Sequence, residues 1–139
     1  MGITGPGEGF RASMESDITE ALSKGGIADI TTTGRRSGQP RRIEIVFHNF
    51  DGDLYIGGRP GKRGWLANLI AQPQFTLHLK RGVKADISAR AQEITDPEER
   101  ASLLYRMLTE SWGSDPDKAR GSLPKWVDSA PLVKVTLES

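Results

Sequence analysis

The chain has no cysteine among its 139 residues. Disulfides, thiolate metal centres and cysteine nucleophiles are therefore excluded. Histidine is nearly as scarce: His48 and His78 are the only two, too few for a multi-histidine metal site. Aromatics make up 6% of the residues, which leaves few platforms for stacking nucleic-acid bases. No apolar run approaches the ~20 residues that span a bilayer. The N-terminus has neither the charged nor the apolar region of a secretory signal. Met1-Gly2 opens like an acylation site, but Pro6 stands where a hydroxyl residue belongs. These gaps point to a cytoplasmic protein without stable membrane insertion; peripheral contact with a membrane stays compatible with them.

Charge of one sign is also lacking. Nineteen Lys and Arg face eighteen Asp and Glu, a net charge of +1. The chain is not a nucleic-acid coat, and any electrostatic specificity must come from local clustering. The length fits one domain with a real core. Residues 1–12, with four glycines and a proline, read as a flexible N-terminal tail, and residues 13–139 as a single domain.

What is present is a run of short elements. Met14, Ile18, Ala21 and Leu22 recur at near-helical spacing up to Gly25-Gly26. Ala28 to Thr33, Arg42 to Phe50 and Asp53 to Gly58 read as strands, the last two joined by the hairpin signal Asp51-Gly52. Lys62 to Ala71 reads as a short helix stopped before Pro73. Phe75 to Leu79 and Val83 to Gln92 alternate apolar with polar, as half-buried strands do. Asp96-Pro97-Glu98-Glu99 is a complete helix start, Asp115-Pro116 begins a weaker helix, and Leu132 to Leu137 closes the chain as a strand. Six strands linked mainly by hairpins predict a small antiparallel barrel with helices packed outside it, an α+β chain that is mainly β.

Two basic turns stand out. Seven cations fall between Arg35 and Arg63, opposed there only by Glu44, Asp51 and Asp53. In the first turn, Arg35, Arg36, Arg41 and Arg42 offer guanidinium forks for phosphate or carboxylate. Gly34 and Gly38 permit close backbone approach, and Ser37 adds a hydroxyl. The plainer reading is a solvated basic turn, and composition alone does not separate the two. In the second, Arg59-Pro60-Gly61-Lys62-Arg63-Gly64 precedes a helix. Cations at a helix start oppose its dipole, so Lys62 and Arg63 make sense there if an anion sits between them. The spacing is not that of a P-loop.

Trp65 can lie against a flat ring and Asn68 can donate to a carbonyl; Trp65 and Leu69, four apart, also suit core contacts. For His48 and His78, packed or surface roles outweigh catalysis. Tyr105, Trp112 and Trp126 either wall a substrate pocket or fill the helical core. No Ser–His–acid set, metal pattern or paired carboxylates stand out.

Thr32-Thr33-Gly34-Arg35-Arg36-Ser37-Gly38-Gln39-Pro40-Arg41, the Asp51-Gly52 hairpin and Trp65-Leu66-Ala67-Asn68-Leu69-Ile70-Ala71-Gln72-Pro73 resemble the deazaflavin-dependent nitroreductases and quinone reductases of actinobacteria. The resemblance covers residues 28–95 well. It implies a six-stranded antiparallel split β-barrel of the FMN-binding, pyridoxamine-phosphate-oxidase-like kind. It also implies binding of the reduced deazaflavin coenzyme F420, a lactyl phosphate with an oligoglutamate tail. By position it assigns Arg35, Arg36 and Arg41 to phosphate and tail, Gly58 and Arg59 to a loop approaching the cofactor, and Trp65 and Asn68 to the bordering helix. With Ser37, Lys62 and Arg63 from the residue-level reading, these form the candidate cofactor-binding set. One departure is Glu44, which stands where the family's pattern has proline.

The implied activity is hydride transfer from reduced F420 to a small electron-poor acceptor: a quinone, an activated alkene or a nitro compound. The cofactor carries the redox chemistry and the protein orients it. Water or Tyr105 is the candidate proton source. The alternatives are an FMN-dependent oxidoreductase on the same barrel and a non-catalytic binder of lipid or another apolar molecule. No metal and no nucleic-acid partner are expected, and the protein is expected as a monomer or homodimer.

Overall fold

A computed structural model describes residues 6–138, with side chains from Met14 onward. The elements run α1 (Pro6–Lys24), β1 (Gly26–Thr33), β2 (Pro40–Phe50), β3 (Asp53–Gly57), α2 (Gly64–Ala71), β4 (Gln74–Leu79), β5 (Ala85–Glu93), α3 (Pro97–Arg106), a π-helical turn (Met107–Ser111), α4 (Pro116–Ser129) and β6 (Leu132–Leu137). The strands close into a barrel in the order β1-β2-β3-β6-β5-β4, every neighbouring pair antiparallel. This is the barrel expected from the hairpin-linked strands. The first helix starts earlier than its apolar spacing predicts and reaches into the stretch expected as a tail; residues 1–5 of that stretch lie outside the described residues.

Strand alternation fills the barrel. Ala28 and Ile30, Ile45 and Phe47, Leu54 and Ile56, Phe75 and Leu77, Ala89 and Ala91, and Val133 and Val135 point inward and are buried. Each large aliphatic or aromatic side chain among them contributes about 1.5–3 kcal/mol through burial. Leu69 of α2 joins this core. The β2–β3 hairpin turns through Asp51 at φ 58° and Gly52 at φ 96°, both left-handed as a tight two-residue hairpin requires.

A second core lies outside the barrel wall. Phe50, Tyr55 and Leu132 pack there against Leu104, Met107 and Leu108 and against Ala119 and Trp126 of α4. Asp96 caps α3 by accepting from the Glu99 amide at 2.9 Å, and Asp115 caps α4 by accepting from Lys118 at 3.0 Å. Gly121 and Pro124 weaken α4 locally, yet it runs fourteen residues. Packing of its apolar face outweighs propensity. The buried Arg100 guanidinium donates to the carbonyls of Ile94, Val127, Trp126 and Ala130, and so fastens the C-terminal end of α4 to the barrel.

Candidate functional site

β1 ends at Thr33, and the chain reverses through Gly34–Gln39 into β2. The reversal is tight. Gly34 N–H donates to Gln39 O at 2.8 Å, Gly38 N–H to Gly34 O at 2.8 Å, and Gln39 N–H to Ser37 Oγ at 3.1 Å. A Cβ on Gly34 would lie 2.6 Å from Ser37 Oγ and 3.2 Å from Gln39 O, so any larger residue would displace the Ser37 hydroxyl from its bond to Gln39. Gly38 supplies a φ of 70°. Because Ser37 Oγ already accepts from Gln39, its own proton is free to donate.

The first turn of α2 faces this reversal across a cleft of about 430 Å³. Arg35, Arg36, Ser37, Arg41, Trp65 and Asn68 line it, together with Thr32, Gly34, Ile43 and Gly64. Three arginines thus line one cleft, and its lining contains no carboxylate. Among the described residues, none of the three arginines is paired with an acid. α2 has no side-chain cap and no acid in its first turn, which leaves its positive end available to an anion. Trp65 packs its inner side on the barrel core and also forms a wall of the cleft.

Strand alternation separates Arg41 from Arg42. Arg41 lines the cleft, whereas Arg42 turns to the outer barrel face and meets Asp29 at 3.0 Å. Lys80 bridges Asp29 and Glu44 on that face, at 2.6 Å to each. Glu44, the departure from the family pattern, therefore belongs to this outer ladder and not to the cleft.

The second basic loop does not line this cleft, although Gly58, Arg59, Lys62 and Arg63 belong to the candidate cofactor-binding set. Gly58 N–H donates to Pro131 O at 3.2 Å and Gly61 N–H to Ser129 O at 3.1 Å, tying the loop to the α4–β6 connection. Arg63 folds back on its own loop, donating to Arg59 O and Lys62 O at 3.1 Å each. Arg59 and Lys62 are exposed to solvent.

Tyr105 is also absent from the cleft lining. It packs against the second core, where the helices require large side chains. His48 is buried between Phe50 and Trp112, with Nδ1 3.0 Å from Ser111 Oγ and Nε2 without a partner. Burial pushes its pKa down to about 4 and holds it neutral. His78 sits on the outer face, 2.6 Å from Thr31 Oγ1 and 2.7 Å from Asp86. Neither histidine reaches the cleft. Among the described residues no three His, Asp or Glu side chains gather as a metal site. Thr32 and Ile43 were missed as site residues. The inward register set by Ala28 and Ile30, and by Ile45 and Phe47, carries the signal that finds them.

A closed six-stranded antiparallel barrel with helices outside and a basic cleft at one turn defines the class: a split-barrel protein built like the flavin-binding oxidases. Similar solved structures include a conserved hypothetical protein from Mycobacterium tuberculosis, at 16% identity and TM-score 0.69 over 90% of this chain and 81% of that one. A provisionally assigned pyridoxamine 5′-phosphate oxidase from Listeria innocua matches at 14% identity and TM-score 0.63, over 90% and 94%. An FAD-binding protein from Mesorhizobium loti matches at 16% identity and TM-score 0.54, over 90% and 88%. At these identities the likeness shows the fold. The model of the F420H(2)-dependent quinone reductase family matches residues 9–127, and the chain belongs to that family. It is accordingly an oxidoreductase that depends on the reduced deazaflavin coenzyme. No helix of the described residues is long and apolar enough to cross a membrane.

Proposed function

We propose that the cleft holds the anionic part of reduced F420 and that the protein passes hydride to a quinone. The observation that carries this reading is the donor set: Arg35, Arg36 and Arg41 beside Trp65, with no carboxylate in the lining. That set fits a phosphate with a polycarboxylate tail. The guanidinium forks bind such oxygens bidentately, the Ser37 hydroxyl donates a further bond, and the uncapped start of α2 adds its dipole. Trp65 offers a flat apolar wall on which a planar ring rests. When bound, the reduced deazaflavin supplies the hydride. The chain's own residues fix position and keep the charged tail in register, which is how proximity lowers the barrier to hydride transfer. Tyr105 lies in the second core, so this reading leaves proton delivery to solvent.

Nitro compounds and activated alkenes extend the acceptor range in the same reading, since they share electron-poor π systems with quinones. The protein works in the cytoplasm, as a monomer or homodimer. FMN is the second cofactor reading, on the same barrel. The lipid-carrier alternative wants an open barrel, but the interior is filled by side chains such as Ile30, Ile56 and Leu77.

Purified protein mixed with reduced deazaflavin and a soluble quinone tests the reading. The oxidised chromophore returns at a rate proportional to protein concentration. No oxidation with any of the three acceptor classes, in a protein that purifies yellow with FMN, would overturn it in favour of the second reading.

A further inference from the structure

The basic turn is braced from outside. The Arg35 backbone N–H donates to Asn68 Oδ1 at 3.0 Å, and Asn68 Nδ2 donates to Thr32 Oγ1 at 3.1 Å. A backbone N–H only donates, so this bond fixes which end of the Asn68 amide faces Arg35. One side chain on α2 thereby joins the helix, the last inward residue of β1 and the second residue of the turn. Asn68 is 8% exposed and Thr32 2%, so the bond between them is shielded from competing water and the bond to the exposed Arg35 is partly so.

The other hydrogen bonds of the turn are internal to it: Gly34 with Gln39, Gly38 with Gly34, and Gln39 with Ser37. They hold its shape, and the β1–β2 ladder, closed by Thr33 opposite Pro40, holds its base; neither ties the turn to α2. Among the described residues, the Asn68 bond is the hydrogen bond that joins the turn to a helix. An amide with one lone pair committed to Arg35 and one N–H committed to Thr32 keeps half of its hydrogen-bonding capacity, one donor and one acceptor position, for anything else. This commitment makes a brace of a residue the family resemblance places at the cofactor border.

We propose that Asn68 and Thr32 are positioning residues, a bracket that aims Arg35 and Arg36 at the cleft and so sets affinity for the anionic part of the cofactor. The proposal rests on the functional reading above and deepens it. Without the bracket the turn is free to shift against α2 on its hairpin base, and binding must fix that position anew, which weakens affinity through lost preorganisation and leaves the chemistry alone.

Three variants test it: Asn68→Leu, Thr32→Val and the conservative Thr32→Ser. Amide hydrogen exchange at Arg35 is read in the cofactor-free protein, with β5 amides as the internal reference. Affinity is read by quenching of deazaflavin fluorescence, and kcat at saturating cofactor. Asn68→Leu should speed Arg35 exchange and weaken affinity by about ten-fold each, with kcat changed less than about two-fold. Thr32→Val should move both readouts the same way by a smaller factor, and Thr32→Ser should restore them. The double variant should lose no more than Asn68→Leu alone, because both act through one bracket. Unchanged Arg35 exchange in Asn68→Leu overturns the proposal, as does unchanged affinity in both Asn68→Leu and Thr32→Val. Should Asn68→Leu fail to fold, Thr32→Val decides by the same readouts. A wild-type protein that binds no deazaflavin sinks the functional reading instead, and exchange at Arg35 still decides the bracket.

Discussion

At the scale of single residues, two adjacent arginines give opposite expectations. Arg41 lines the cleft and Arg42 pairs with Asp29 on the outer face. A charge-assisted hydrogen bond is worth about 1.5–3 kcal/mol, so Arg35→Ala with Arg41→Ala should raise the cofactor KM by at least about a hundred-fold. Turnover at saturation should hardly change, because both groups grip the ground state and the transition state alike. Arg42→Ala is the internal control. An exposed pair contributes about 0–1 kcal/mol, and cofactor affinity should stay at the wild-type value. Steady-state kinetics over a range of deazaflavin concentrations separates the cases; a loss of kcat at unchanged KM would remove Arg35 and Arg41 from the binding role. This difference between neighbours was legible in the sequence, since Ile43, Ile45 and Phe47 fix which residues of β2 point inward. The fate of Arg63 was not. A long side chain that donates to carbonyls one and four residues back leaves no periodic trace.

Among the elements, legibility followed the strength of local rules. The alternation of β5 and the Asp96-Pro97 start of α3 read correctly because one face is buried and one cap is chemically demanded. The start of α2 read two residues early, since Lys62 and Arg63 suit a helix by propensity while Arg63 is held extended at φ −132°. The fastening of α4 was invisible, because Arg100 and its carbonyl partners Val127, Trp126 and Ala130 are 26 to 30 residues apart. Arg100 is buried and, among the described residues, forms no ion pair; its charge is answered by those carbonyls at the negative end of α4. Arg100→Met would leave several carbonyls buried without donors, at about 1–3 kcal/mol each. Urea unfolding should show a loss of at least about 3 kcal/mol, with the barrel strands surviving longest in hydrogen exchange. A loss below about 1 kcal/mol would mean water replaces the guanidinium without strain.

For the molecule as a whole, stability should fall on the acid side in two stages. The first belongs to His48. An unfolded imidazole takes its proton near 6.5, whereas in the fold burial delays this to about 4. The groups around it offer no relief: Phe50 and Trp112 flank the ring, and Arg106, stacked 4.6 Å over Phe50, has its charge met by Asp51 and Glu110. Between those two pH values the unfolded chain binds the extra proton, so stability is full above 6.5 and is lost as the pH falls to about 4, by about 3 kcal/mol. The second stage belongs to carboxylates whose folded pKa is lowered: Asp29 by Lys80, Asp51 by Arg106 and Asp86 by His78. Their contribution is present above the ordinary value of 3.8 and disappears as the pH drops through the lowered ones. His48→Asn cannot titrate, but its amide can still meet Ser111. Denaturant melts at pH 7 and pH 4.5 should therefore show the first stage largely absent in this variant, and a further melt at about pH 2.5 should show the second intact. An equal loss of stability in variant and wild type over that interval would move the acid sensitivity away from the His48 box.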